Sequence, residues 1–85
     1  MPNIYLGPNS CYARHGLPYV RGQYVTPRTA AAIKRVIKQE LRRGWTFDKR
    51  TCERIPMTPE LAARRIRFLN FLMRVHARKL TRRIA

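Results

Sequence analysis

Hydrophobic positions divide the chain into three stretches. Between residues 27 and 43, Ala30, Ile33, Val36, Ile37 and Leu41 recur at helical spacing, and Arg28, Arg35, Lys38 and Arg42 fall on the opposite side. Thr26 offers an N-cap oxygen. Pro27 takes the first helical position, where its missing N–H costs nothing. Gly44 follows Arg42 and Arg43, so the helix ends on a residue that tolerates left-handed backbone, with positive charge in its last turn. The pattern predicts a helix over 27–43 with one apolar and one cationic face.

The same punctuation returns at Thr58-Pro59-Glu60, with a carboxylate in the first turn where negative charge is favoured. A second helix is predicted over 59–82. Ala62, Ile66, Leu69, Met73, His76 and Leu80 form one column, and Leu61, Phe68, Leu72 and Val75 lie beside it. The resulting apolar face is wider than one short partner helix covers. Arg64, Arg67, Arg74, Arg78 and Arg82 gather on the other side with Phe71 among them, and Arg83 extends the basic end.

The connector alternates apolar and polar at Trp45-Thr46-Phe47, can turn at Asp48-Lys49, and can pair back as a short strand within Arg50 to Ile55. Trp45 and Phe47 are expected to pack against the helices rather than stand as base-stacking platforms. The expected fold is mainly α: two amphipathic helices in an antiparallel hairpin, forming a small body over 26–85 with a basic C-terminal end.

Residues 1–25 carry no helical pattern. Gly, Pro and Tyr dominate, and an extended tail is predicted. A small β-hairpin can form from Pro18-Tyr19-Val20 and Gln23-Tyr24-Val25 around Arg21-Gly22, although two strands alone are marginal in water. Arg14, Arg21, Arg28, Arg35 and Arg42 recur every seven residues, but the glycines and prolines before residue 27 forbid one helix through that repeat.

Charge changes the picture more than any motif. The 85 residues hold 19 Lys plus Arg against 4 Asp plus Glu, a formal net charge of +15. A chain of this length buries only about 60% of its unfolded surface and is marginal alone. The excess calls for a polyanion, nucleic acid or an anionic membrane surface. Arginine supplies 15 of the 19 cations. Its planar fork grips phosphate with two hydrogen bonds and stacks on bases, whereas lysine is a point charge.

Composition also excludes chemistry. Ser10 is the one serine and Asp48 the one aspartate, and Glu40, Glu53 and Glu60 are scattered, so no carboxylate pair is spaced for general acid/base work. No Gly-rich phosphate loop is present. The chain is not expected to be an enzyme, to use a cofactor or to act on a small-molecule substrate. No stretch approaches the ~20 apolar residues of a membrane span, and no apolar signal-peptide core appears, so secretion is not expected. The first 39 residues lack an acidic side chain, as mitochondrial transit peptides do, but Gly and Pro break the amphipathic helix such a peptide needs.

Cys11, His15, Cys52 and His76 are the soft ligands, and their spacing does not match the paired short spacings of structural zinc motifs. No bound metal is expected. His76 falls in the apolar column and reads as a core histidine. A Cys11–Cys52 disulfide fits an oxidising compartment, but two free thiols in a reducing one are the expectation. A DNA-reading helix–turn–helix needs a turn of about three to four residues, far shorter than this connector, so sequence-specific DNA binding by a small phage or bacterial protein is the weakest reading.

The expectation is therefore a structural RNA-binding component of a large assembly. A small ribosomal protein, mitochondrial or cytoplasmic, fits the plan of extended basic tail and helical body, with rRNA and neighbouring proteins as partners and no isolated monomer. The phosphate contacts would come from Arg14, Arg21, Arg28, Arg35, Lys38, Arg42, Arg64, Arg67, Arg74, Arg78, Arg82 and Arg83. Tyr12, Tyr19, Tyr24 and Phe71 are candidates for stacking. An accessory subunit of an organellar, membrane-bound complex is the alternative from another class.

Overall fold

The computed structural model describes residues 7, 9–19 and 25–84, apart from the side chains of residues 80 and 82–84. Its elements run α1 (Cys11–Arg14), α2 (Pro27–Arg43), β1 (Trp45–Phe47), β2 (Arg54–Pro56) and α3 (Pro59–Ile84). The chain is mostly helical, with one small antiparallel sheet.

Both long helices begin on the residues their sequence marks; α2 also ends on its marked glycine, while α3 runs two residues past its expected end at 82, to Ile84. The Thr26 hydroxyl accepts from the Thr29 amide at 3.3 Å, and Pro27 opens α2. Gly44 is left-handed, with φ 85°, and its amide donates to the Glu40 carbonyl at 2.9 Å. The Thr58 hydroxyl accepts from the Leu61 amide at 3.2 Å at the start of α3. Between them, β1 pairs antiparallel with β2 in the register Trp45↔Pro56, Thr46↔Ile55 and Phe47↔Arg54. Asp48 closes the intervening turn by accepting from the Arg50 and Thr51 amides at 2.7 and 3.4 Å. The hairpin predicted around Arg21-Gly22 lies outside the described residues.

α2 packs on α3. The Val25 amide, just before α2, donates to His76 Nδ1 at 2.7 Å. The Met57 amide, just before α3, donates to the Gly44 carbonyl at 3.0 Å. Low numbers in one helix therefore face high numbers in the other, and the two run in opposite senses. With 26 residues at about 1.5 Å rise each, α3 outruns α2. Beyond His76 its exposed side chains are Ala77, Arg78, Lys79 and Thr81.

The core joins Cys11, Tyr12, Val25, Ala30, Ile33, Ile37, Phe47, Met57, Ala62 and Leu69. Three expectations are corrected by it. Residues 11–14 are helical, not extended: the Ser10 hydroxyl caps them by accepting from the Ala13 amide at 3.2 Å, and Gly16 turns the chain at φ 69°. Cys11 and Cys52 form a disulfide rather than two free thiols, which fastens α1 to the loop between the strands. Leu41, placed in the apolar stripe, is 37% exposed, while Glu40 is fully buried.

That burial is coherent because Glu40 is at the centre of a polar cluster. Its carboxylate accepts from the Tyr12 and Thr46 hydroxyls and lies 3.8 Å from Arg65 Nη1. Arg65, itself buried, donates to Thr46 Oγ1 at 2.7 Å and to the Phe47 carbonyl at 2.8 Å. One cluster thus ties α1, α2, β1 and α3 together, and its hydrogen bonds offset the cost of removing two charges from water.

Candidate nucleic-acid interface

α2 turns its apolar stripe inward, so its opposite side faces out. Arg28, Arg35, Lys38 and Arg42 are all exposed there. On α3, Arg64, Arg67, Arg74 and Arg78 are likewise exposed. At 100° per residue these four and Phe71 fall within an arc of about 80°, and Phe71 is 51% exposed. Arg14 is exposed beside the disulfide, its Nη1 3.7 Å from Cys52 Sγ. Arg21 and Tyr24 lie outside the described residues, as do the side chains of Arg82 and Arg83.

The acidic residues do little to neutralise these rows. Glu40 is sealed in the core, where it meets Arg65 and, also at 3.8 Å, Arg43 Nη2. Asp48 is engaged by backbone amides. Among the described residues, none of the exposed arginines of the two rows meets a carboxylate. An unpaired stripe of like charge repels itself in water, and phosphates relieve that repulsion.

The predicted stacking residues divide. Tyr12 is 2% exposed and its ring meets Phe47 edge-on at 5.3 Å, so it is a core residue and not a platform for a base. Tyr19 is half-buried against the core. Phe71 alone of the described candidates is open. Phe47 is buried as expected, and Trp45 half-buried.

The soft ligands also separate. His15 stacks on Phe47 at 4.5 Å, and its Nε2 lies 3.0 Å from the Cys52 carbonyl. His76 accepts instead from the Val25 amide at 2.7 Å. No group of three His, Cys, Asp or Glu residues suited to a metal occurs among the described residues.

Two cationic features were not legible as sites in the sequence. Trp45 carries two guanidinium groups, Arg43 at 3.7 Å and Arg54 at 4.1 Å from its ring centroid. Such contacts hold arginine side chains in place. The strand pairing brings Arg54 there, so no linear motif announces it. The second feature is a cleft of about 470 Å³ between the turn after β1 and the first half of α3, where Lys49 and Arg50 face Arg64 and Phe68.

The sequence matches no protein-family model, and neither curated proteins nor solved structures yield a match. No helix among the described residues is long and apolar enough to cross a membrane.

Proposed function

We propose that the chain is a non-catalytic, structural RNA-binding component of a large ribonucleoprotein, most directly a small ribosomal protein. The carrying observation is the pair of exposed arginine rows on α2 and α3, in which, among the described residues, no arginine forms an ion pair with a carboxylate. Their side chains would neutralise rRNA phosphates, release counterions and fix an RNA fold or junction. Exposed Phe71 would seat against a neighbouring protein or base. The long overhang of α3 carries the basic end away from the core, where RNA can close around it.

Competition tests the reading. At about 150 mM salt, the purified chain is offered folded RNA, duplex DNA of random sequence and vesicles of phosphatidylcholine with phosphatidylserine. Preference for the RNA supports the proposal. Preference for the vesicles replaces it with the accessory-subunit reading, in which the basic face meets lipid heads. Tight binding to one DNA sequence over the others replaces it with a DNA-binding role.

A further inference from the structure

The cleft beside the hairpin turn differs from the open arginine rows. It has a floor as well as charge. Ile55 and Leu61 supply apolar wall, Phe68 supplies a ring, and Lys49, Arg50 and Arg64 bring three cations to the rim. The Lys49 ammonium stands 4.7 Å above the Phe68 centroid. Phe68 in turn stacks on Phe71, with centroids 6.5 Å apart and planes 27° from parallel. The two rings form a ledge from the cleft to the α3 arginine row. Asp48 contributes the cleft's one carboxylate, and backbone amides already hold it. Arg65 at the back is rigid, gripping Thr46 and Phe47.

A volume of about 470 Å³ lies within the range of about 300–1,000 Å³ usual for small-ligand sites and exceeds what a bare phosphate needs. Cations at the rim and an aromatic ring inside match an anion joined to a flat heterocycle. In a duplex, base faces are stacked and unreachable, so the match is to an unpaired base.

We propose that this cleft receives one unpaired nucleotide of the bound RNA. The base lies on Phe68 against Ile55 and Leu61, and its phosphates meet Arg50, Arg64 and Lys49. Lysine's flexible stem lets the Lys49 ammonium leave the ring and follow the phosphate as the base enters. The inference rests on the RNA-binding reading and deepens it. The arginine rows supply affinity for any RNA, and the cleft selects a bulge or splayed base.

The test uses the full chain and two short RNA duplexes, identical except that one carries a single bulged 2-aminopurine. The bulged duplex is expected to bind about tenfold tighter, the scale of one base–aromatic stack, with quenching of the 2-aminopurine fluorescence. Phe68→Leu, checked for folding by circular dichroism, should abolish the quenching and the tenfold gain while leaving the plain duplex bound as before. Arg50→Ala, on the exposed turn, should weaken the bulged duplex more than the plain one. Equal affinity for the two duplexes, or a preference that survives both substitutions, overturns the cleft proposal and leaves the arginine-row reading standing. If neither duplex outcompetes phosphatidylserine vesicles, both proposals fail.

Discussion

Glu40 and Arg65 meet in the interior, the carboxylate Oε2 3.8 Å from the guanidinium Nη1, on two helices otherwise packed through apolar residues. Each occupies a position in its helix's buried stripe. Ile33, Ile37 and Glu40 follow at steps of four and three, and Ala62, Arg65 and Leu69 at steps of three and four. The pair engages the most deeply buried carboxylate of a chain with four acids, and so leaves the arginines of the two exposed rows without it.

Breaking this pair should be costly. Glu40→Ala leaves Arg65 charged and poorly matched in the core, and removal of one partner of a buried pair costs about 3–5 kcal/mol. Urea denaturation followed by the fluorescence of Trp45, the one tryptophan, reads this loss. Glu40→Ala with Arg65→Ala should cost less than the sum of the single changes, with a coupling of about 0.5–3 kcal/mol. Strict additivity would show that the two side chains do not act together.

The disulfide should contribute stability through the length of chain it closes. Cys11 and Cys52 are 41 residues apart, and a loop of that size corresponds to about 4 kcal/mol in the chain-entropy model. Cys52→Ser, or reduction, is expected to lower the urea midpoint and to open the 10–19 segment to proteolysis while the helical circular-dichroism signal of α2 and α3 is largely kept. An unchanged midpoint would count against a bridge formed in solution.

Gly44 holds a positive φ of 85° with open space where a Cβ would stand. Gly44→Ala therefore meets backbone strain but no clash, and a loss of about 1 kcal/mol is expected from equilibrium unfolding. Thr58→Ala removes the acceptor for the Leu61 amide and should cost a similar amount, about 1 kcal/mol.

The surface arginines make a different prediction. Arg64, Arg67, Arg74 and Arg78 are exposed and form no ion pair among the described residues, and glutamine is as good a helix former as arginine. Replacing all four with glutamine should leave the melt unchanged. It should also flatten the dependence of log K on log salt for RNA by about 3, at about 0.7–0.9 for each phosphate no longer neutralised. An unaltered slope would place the phosphate-binding residues elsewhere.

The long helices were legible because they are punctuated. Thr-Pro starts and a Gly stop are local signals, and the structure places α2 on the predicted boundaries and carries α3 to Ile84. The Trp45-Thr46-Phe47 strand was legible from alternation. Glu40 and Arg65 were harder because a charged residue in an apolar stripe reads as an interruption until its partner on the facing helix is known. The signal existed: opposite charges sit in two stripes predicted to face each other. α1 was hidden by the Gly and Pro around it. Its short run is stable only because Tyr12 reaches Glu40 and Cys11 reaches Cys52, both partners distant in sequence. The cleft was not legible, since it arises where a turn and a helix far apart in the chain converge.

The most direct measurement is a pull-down of the tagged chain from its native extract, with and without RNase, read by mass spectrometry and RNA sequencing. An rRNA-clamping role predicts rRNA in the untreated sample and a set of ribosomal proteins that RNase strips away. Recovery of the same partners after RNase, with membrane or metabolic subunits among them and no enriched RNA, would contradict that role.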